Sequence, residues 1–459
     1  MDALAVQGNL PSWLAGTLIR NGPGAFQIGS QSYRHWFDGL AMLHRFTFQG
    51  SRVSYANRYL QSKSYLGAKE TGTITHAEFA TDPPRTRFER VMAVLSPHVT
   101  DSAKVNVAKI AGRYLALAET PIQLEFDVQT LQTVGRFNYE QRAVGQMTTV
   151  HPQFDPANKW AYNVVTRYHA VSHYNLYRIA ESGQMQRLAA VRAMQPAYMH
   201  SFGMSERYLI LTEFPLVVNS IDLLLWRKPY IENFRWEPER GTPFTIIDRL
   251  TGEVVGRFDC DPFFAFHHVN AFEQQDELIV DLVSYDDASI IQSYYLQRLS
   301  DPANELPIGT LRRYRVPIRT KHSRVKEEII SEACLELPRF DYERYNTRWD
   351  YRYVYGCGIH PEHRAGFYNQ IVKVRIPNGN LQTWHEAGCY PGEPVFVGRP
   401  DRNDEDDGVL LSVVLDAVRG TSFLLVLDAQ ALEEIARVEV PHPILFGYHG
   451  EFFGEPVNG

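Results

Sequence analysis

The 459-residue sequence lacks the long apolar runs and short motifs that mark several large protein classes. No stretch of 18 consecutive apolar residues occurs, so no membrane-spanning helix is predicted. Neither GxGxxG nor a phosphate-binding loop is present, and GxSxG and HExxH are also absent, which argues against several common enzyme classes. The first residues, MDALAVQGNLPSWL, have no basic segment followed by an apolar run, so no signal peptide is predicted.

Cysteine is scarce, and positive charge is not concentrated anywhere. The four cysteines (Cys260, Cys334, Cys357 and Cys389) are far apart and form no CxxC pair. This usage predicts reduced thiols in a cytoplasmic protein rather than a disulfide scaffold. A net charge of −7 without a dense Lys/Arg stretch argues against a nucleic-acid partner. The sequence gives no indication of the oligomeric state.

Aromatic residues are abundant, at 12%, which favours strands and apolar cavities. Short β-branched or leucine-rich runs predict strands at 113–119, 208–214, 277–285, 408–417 and 422–429. Turn signals lie between such runs, at NGPG (21–24), 155–158, 249–253 and 376–380.

The strand–turn–strand unit recurs without strict repetition. This pattern predicts an all-β protein, a β-propeller with divergent blades forming a single domain over residues 1–459. A double β-sandwich is the structural alternative. Helices are expected to be few, and 287–301 has the best amphipathic spacing.

Four histidines stand in unlike and widely separated contexts: His151 in TTVHPQFD, His200 in PAYMHSFG, His267 in FAFHHVNAFE and His449 in FGYHGEFF. The intervals are too long for a zinc-finger module, so only the fold can bring these residues to one metal. Imidazole suits iron, zinc, copper and nickel alike. We assign nine other histidines to ordinary surface or core positions: His35, His44, His76, His98, His322, His360, His363, His385 and His442.

The motifs around these histidines resemble those of the carotenoid cleavage oxygenases. That family includes retinal-forming carotene oxygenases, apocarotenoid oxygenases, stilbene-cleaving enzymes and the retinoid isomerohydrolase of the eye. The resemblance runs from GTLIRNGPGAF and YRHWFDGLAMLHRF to EDDGVLLSVV and FGYHGEFF. It implies a seven-bladed propeller with a helical and loop cap over one face and iron on the propeller axis.

The resemblance also implies the ligands of that iron. Carried onto this sequence, they are His151, His200, His267 and His449, and they bind Fe(II). His268 competes with His267, because adjacent residues of a strand point to opposite faces and only one can reach the metal. The family pattern favours His267.

Three glutamates complete the implied site: Glu119 in LAETP, Glu336 in LELPRF and Glu393 in PGEPVFV. In the family each accepts a hydrogen bond from a ligand histidine, which fixes the imidazole tautomer and raises its basicity. These carboxylates would serve His200, His267 and His449 and leave His151 without an acidic partner. Val105 matches the position whose side chain crowds one of the two open iron positions.

Other positions bear on the substrate. A carotenoid needs an apolar tunnel, and the segment 216–236 (LVVNSIDLLLWRKPYIENFRW) suits a surface that makes peripheral contact with a membrane at the tunnel mouth. The alternative is a buried cap helix. Ala118 stands where stilbene-cleaving relatives have a lysine, which favours a hydrocarbon substrate. Pro84 stands where animal carotene enzymes have a cysteine.

The sequence therefore predicts an O2-dependent, iron(II) dioxygenase that cleaves a conjugated C=C bond of a carotenoid or apocarotenoid. Central 15,15′ cleavage of β-carotene to retinal is the first expectation. The alternatives are a stilbene-type dioxygenase and, from a different class, a non-oxidative retinoid isomerase or carotenoid-binding propeller.

Overall fold

Seven antiparallel sheets of four to six strands form a seven-bladed β-propeller, which confirms the predicted fold class over the sandwich. The computed structural model describes residues 3–83, 100–141, 143–225, 228–320, 324–364 and 366–454. All five runs predicted as strands are strands. Pro84, in the position discussed above, lies outside the described residues.

The blades follow one another along the chain. Blade 1 contains Gly16–Ala25, Leu40–Gln49, Arg52–Tyr59 and Gly450–Phe453; blade 2 contains Asn106–Ile110, Arg113–Leu117, Leu124–Phe126 and Thr133–Arg136; blade 3 contains Met147–Thr148, Gln153–Asp155, Trp160–Arg167, Ser172–Ala180 and Met185–Ala193; blade 4 contains Gly203–Met204, Tyr208–Thr212, Phe244–Asp248 and Val254–Phe258.

The remaining blades have the same organisation. Blade 5 contains His268–Gln274, Glu277–Ser284, Thr310–Val316 and Lys326–Ser331; blade 6 contains Glu336–Arg339, Tyr353–Gly358, Gln370–Arg375 and Asn380–His385; blade 7 contains Cys389–Pro391, Val395–Gly398, Gly408–Asp416, Thr421–Asp428, Glu434–Val440 and Val6–Gly8. Two small ribbons pair Gln27–Ile28 with Gln31–Ser32 and Leu216–Val218 with Phe234–Trp236.

Both ends of the described chain close the ring. The strand Gly450–Phe453 pairs with the first long strand of blade 1, with Arg20 opposite Gly450 and Thr17 opposite Phe453. The strand Val6–Gly8 pairs with the outermost long strand of blade 7. Backbone hydrogen bonds between distant parts of the chain therefore complete two neighbouring blades.

Helices are short and lie in the connections between strands. The described residues form the α-helices Lys63–Thr71, Ser220–Leu224, Ser289–Ser293, Leu296–Leu299 and Tyr342–Tyr345, and the 3-10 turns Tyr230–Asn233 and Pro238–Arg240. None of these helices has the length and apolarity needed to cross a bilayer. The single helix expected over 287–301 is instead two short helices, because Tyr295 adopts an extended conformation between them.

The prediction of a turn at NGPG (21–24) is wrong, because these residues lie within the strand Gly16–Ala25. A Cβ atom on Gly22 would lie 2.6 Å from the Cα atom of Gly447, so glycine is needed there for close backbone approach rather than for a turn. The ladder shifts register between Pro23 and Ala25, and such a bulge tolerates the missing N–H of proline. The turns predicted at 155–158, 249–253 and 376–380 are confirmed.

Candidate metal centre

Each of the seven blades contributes one of the seven histidines and glutamates that the sequence predicts for the site. The four histidines His449, His151, His200 and His267 belong to blades 1, 3, 4 and 5, each beside an inner strand. The glutamates Glu119, Glu336 and Glu393 belong to blades 2, 6 and 7. The propeller thus brings residues from across the chain into one cluster.

The four imidazoles meet in a compact group. One ring nitrogen of each of His151, His200, His267 and His449 lies within 4.8 Å of the corresponding nitrogen of the others. The Nε2 atoms of His267 and His449 are 3.2 Å apart. The ring centroid of His151 lies 4.4 to 5.1 Å from those of the other three.

Three of these imidazoles donate Nδ1–H to a glutamate. The distance from Nδ1 to the accepting carboxylate oxygen is 2.8 Å from His200 to Glu119, 2.5 Å from His267 to Glu336 and 2.8 Å from His449 to Glu393. Because a carboxylate only accepts, the proton resides on Nδ1 and the lone pair on Nε2. No carboxylate partner of His151 occurs in the described part of the chain.

A further set of residues holds the glutamates, and no sequence motif had indicated these residues. Tyr198 donates its hydroxyl to Glu119 at 2.5 Å, and Tyr285 donates its hydroxyl to Glu336. The Nη1 atom of Arg20 lies 2.5 Å from Glu393 Oε2, which also accepts from the backbone N–H of Gly450. The carboxylates are therefore fixed as firmly as the imidazoles they orient.

The histidines are held in the form that binds metals. Burial lowers the pKa of His151 and His449 well below the ordinary value, and the neighbouring imidazoles lower the pKa of both further. Burial also lowers the pKa of His200, against the opposing effect of Glu119. These three rings are therefore neutral near pH 7, with lone pairs available to a metal.

The nitrogen atoms of the cluster have the arrangement expected of metal ligands. His151 Nε2 is buried and has no hydrogen-bond partner among the described residues. The close Nε2 atoms of His267 and His449 have no proton between them when both donate through Nδ1. Converging unpaired lone pairs in a buried place are costly unless a cation accepts them, so this donor set fits a transition-metal ion such as iron.

His268, the competitor of His267, points away from the cluster. Its Nδ1 is 2.8 Å from Ser201 Oγ and its Nε2 is 2.8 Å from Thr212 Oγ1. Both ring nitrogens are thus bonded to hydroxyl groups. The opposite directions of His267 and His268 agree with the alternation of adjacent side chains along a strand.

A cavity of about 500 Å³ lies against the cluster. Aromatic side chains supply much of its wall, and His200, His267, His449 and Glu119 also line it. Val105 and Ala118 lie in the wall, and the carbonyl of Val105 accepts the N–H of His449 at 3.2 Å. Val105 is thus placed beside the cluster.

The segment 216–236 forms another part of the cavity wall. Ile221, Leu224 and Leu225 line the cavity and are 56%, 38% and 37% exposed, so the cavity reaches the surface here. The helix Ser220–Leu224 is therefore not buried as the alternative interpretation of 216–236 expected. Trp226 and Arg227 of this segment lie outside the described residues.

Comparisons with known proteins agree with this architecture. A family model described as retinal pigment epithelial membrane protein matches residues 2–454. The chain is 33% identical to a mitochondrial carotenoid-cleaving dioxygenase of Mustela putorius furo, over 97% of this chain and 93% of that protein. It is 32% identical to a beta,beta-carotene 15,15′-dioxygenase of Gallus gallus, over 97% of this chain and 94% of that protein.

A solved structure is similar over nearly the whole chain as well. Cobalt-substituted apocarotenoid oxygenase of Synechocystis has a TM-score of 0.88 and 26% identity, covering 98% of this chain and 95% of that one. The resemblance noted in the motifs is thereby confirmed, and the chain belongs to the carotenoid cleavage oxygenase family.

Proposed function

We propose that this protein is an iron(II)-dependent dioxygenase that cleaves a conjugated C=C bond of a carotenoid or apocarotenoid into two carbonyl products. The observation that carries the proposal is the convergence of four imidazoles, three of them tied to glutamates, beside a largely apolar cavity that His200, His267 and His449 line. The names of the Mustela putorius furo and Gallus gallus relatives support the same reaction class.

We assign His151, His200, His267 and His449 as the iron ligands. Four imidazole ligands would leave the full 2+ charge of the metal in place and would leave coordination positions open. Bound Fe(II) would supply a binding place for O2 next to the substrate. Glu119, Glu336 and Glu393 keep a proton on Nδ1 of their histidines, and Val105 crowds one side of the cluster.

The cavity suits a long polyene. Its volume lies within the usual range of small-molecule sites, and Trp36, Phe37, Phe266 and Tyr294 offer ring surfaces to a flat conjugated chain. These rings also exclude water from the neighbourhood of the imidazoles. Central cleavage of β-carotene to retinal remains the first expectation for the scissile bond.

We further propose that the surface around Ile221, Leu224 and Leu225 contacts a membrane. These exposed apolar side chains lie at the place where the cavity reaches the surface, and Lys228 beside them also lines it. An apolar rim with a basic neighbour can enter the headgroup region and admit a lipid-soluble substrate.

Product identification tests the reaction. Purified iron-loaded protein is incubated with β-carotene and with apocarotenals under isotopically labelled O2, and the products are analysed by mass spectrometry. We expect aldehydes that carry the label. Failure to form any aldehyde would contradict the proposal, and turnover that persists without O2 would favour a non-oxidative isomerase.

A histidine variant tests the ligand assignment. We expect His151→Ala to lose both bound iron and cleavage, because it removes one of four ligands. His169→Ala, which changes an exposed histidine, should retain both. A His151→Ala protein that binds iron and cleaves substrate normally would overturn the assignment.

A further inference from the structure

A second group of three histidines lies in blade 6, outside the cavity. His360 and His363 belong to the connection between the strands Tyr353–Gly358 and Gln370–Arg375, and His385 ends the outermost strand. Ring nitrogens of the three residues lie within 4.8 Å of one another, the same limit that the central cluster meets. The ring centroids are 4.3 to 5.5 Å apart.

The buried Asn369 holds all three histidines in place. Its Oδ1 accepts the backbone N–H of His360 at 2.7 Å, and its Nδ2 donates to the carbonyl of His363 at 2.7 Å. Its own carbonyl accepts Nδ1–H of His385 at 2.8 Å. A ring N–H bonded to a carbonyl fixes the tautomer and leaves the Nε2 lone pair of His385 free, as in known metal ligands.

We propose that His360, His363 and His385 form a second metal site, one that takes a divalent transition ion of the Zn²⁺ type. Three neutral imidazoles are a common donor set for such ions, and His363 is exposed, so water can occupy a fourth position. The ion must displace one contact, the long bond of 3.3 Å from Glu362 N–H to His360 Nδ1.

The site would fasten the connection that also carries Tyr368. The hydroxyl of Tyr368 is 2.5 Å from that of Tyr294 and 3.5 Å from that of Tyr285, and Tyr285 donates to Glu336 of the central site. A bound ion would therefore hold one end of a hydrogen-bonded series that leads to the central cluster.

Zinc titration of iron-loaded protein tests this site, with calorimetry to follow Zn²⁺ and iron analysis to show that the central ion stays bound. We expect one zinc equivalent that His363→Ala and His385→Ala each weaken at least about tenfold. His169→Ala serves as the matched control and should leave the affinity unchanged. Equal zinc affinity in the unmodified protein and in both cluster variants would overturn the proposal.

A separate observation concerns the wall of the substrate cavity, which contains a buried ion pair. Lys104 donates through Nζ to Glu78, and both side chains are at least 95% buried. Glu78 also accepts the hydroxyl of Thr100 at 2.8 Å. All three residues line the cavity.

This pair is out of place in a cavity for a hydrocarbon. Removing two charges from water is costly, and apolar residues can often replace a buried pair without loss of stability. The ammonium group of Lys104 has three N–H donors, and among the described residues only Glu78 accepts one. With respect to the described residues, the other two donors have no acceptor, and Lys104 lines the cavity, so a molecule there can accept from them.

We infer that Lys104, oriented by Glu78, binds an oxygen atom of the substrate, and that the preferred substrate is an apocarotenoid or carotenoid bearing a carbonyl or hydroxyl group. This inference rests on the proposed function and narrows its substrate class. It also departs from the hydrocarbon preference suggested by Ala118, because the donor stands at another place in the wall.

Binding measured under nitrogen tests the inference without requiring cleavage. The affinities for an apocarotenal and for β-carotene are determined by quenching of tryptophan fluorescence. We expect Lys104→Met to weaken binding of the apocarotenal relative to binding of β-carotene by about tenfold or more. This is the usual effect of losing a charge-assisted hydrogen bond.

Lys104→Met alone leaves the Glu78 carboxylate buried without its partner and could unfold the protein. The double variant Lys104→Met/Glu78→Gln removes both charges together, and we expect it to lose the preference for the apocarotenal in the same way. An unchanged ratio in both variants would overturn the inference. Protein that discriminates in binding but cleaves neither compound would contradict the proposed function alone and leave the role of Lys104 standing.

Discussion

The three glutamates of the central site differ in how they are held, although each orients one histidine. Glu119 and Glu336 accept from the hydroxyls of Tyr198 and Tyr285, whereas Glu393 faces the charged Arg20. A carboxylate on an imidazole N–H raises the basicity of the ligand nitrogen. The charge on each glutamate should therefore matter as much as its shape.

Glu336→Gln separates charge from shape. The amide oxygen can still accept Nδ1–H of His267, but the negative charge is lost. We expect iron affinity or the cleavage rate to fall roughly 10- to 100-fold, measured by competition with a chelator and by product formation. Glu140→Gln, at an exposed glutamate, is the control. Wild-type iron affinity together with a wild-type cleavage rate in Glu336→Gln would show that the charge is dispensable.

The buried His35, which is distant in sequence from the four clustered histidines, makes the unfolding free energy depend on pH. It is fully buried, donates Nε2–H to the carbonyl of Ile291 and accepts the N–H of Phe37 on Nδ1. Burial lowers the pKa of His35 to about 4, against the opposing effect of Asp38. The folded protein therefore keeps this ring neutral, while the unfolded chain takes up a proton below about pH 6.5.

The sign of the effect follows from that difference. The stabilising contribution of His35 is present above pH 6.5 and is lost as the pH falls towards 4, because the unfolded state then binds more protons. We expect the unfolding free energy of wild-type protein to fall roughly 2–3 kcal/mol more over this range than that of His35→Gln. Urea unfolding at pH 6.5 and pH 4 measures it, and parallel pH profiles would contradict the expectation.

At the scale of single elements, the strand Gly16–Ala25 depends on glycine at a backbone crossing. Gly22→Ala would place a methyl group 2.6 Å from Gly447 Cα, so the two backbones must separate. We expect a loss of about 1–3 kcal/mol in unfolding free energy. Gly454→Ala has open space around it and should be neutral in the same urea titration. Equal midpoints for the two variants would count against the crossing as a constraint.

The same strand illustrates what sequence could and could not predict. Runs such as 277–285 and 408–417 were predicted as strands because their pattern is local, and the structure has them. The prediction of a turn at NGPG was wrong because Gly22 is needed for the close approach of the Gly447 backbone, a contact that no local pattern shows. The break at Tyr295 within 287–301 likewise coincides with a tertiary contact, the isolated β-bridge between Tyr295 and His35.

The site residues also divide into those that sequence motifs could indicate and those that depend on tertiary contacts. The four histidines and three glutamates were found through long family motifs, and the fold brings them together. Tyr198, Tyr285 and Arg20 were missed because their roles depend on positions across the ring. His360, His363 and His385 were assigned to ordinary positions, and the structure groups their rings. The sequence HPEH shows that His360 and His363 are close along the chain, whereas the approach of His385 from a strand end could not be foreseen.

At the scale of the whole molecule, the exposed side chains of Ile221, Leu224 and Leu225 should govern entry of the substrate into the cavity rather than the cleavage step. Leu224→Glu places a charge where the cavity reaches the surface. We expect it to slow cleavage of β-carotene delivered in lipid vesicles several-fold and to leave cleavage of detergent-dispersed β-carotene nearly unchanged, because entry of a charged rim into lipid is unfavourable.

Leu250→Glu is the matched control, since Leu250 is also exposed but does not line the cavity. It should behave as wild type with both forms of substrate. Equal slowing of Leu224→Glu with vesicles and detergent would place the defect in the cavity and not at the membrane.

The closing strand of the propeller has a consequence for biosynthesis. His449 immediately precedes Gly450, the residue that pairs with Arg20 when the ring closes. A chain that has not yet been translated beyond residue 448 lacks one of the four clustered imidazoles. On the proposed ligand set, the complete centre can therefore form only after translation has passed residue 449, and a product truncated before that residue could not carry it.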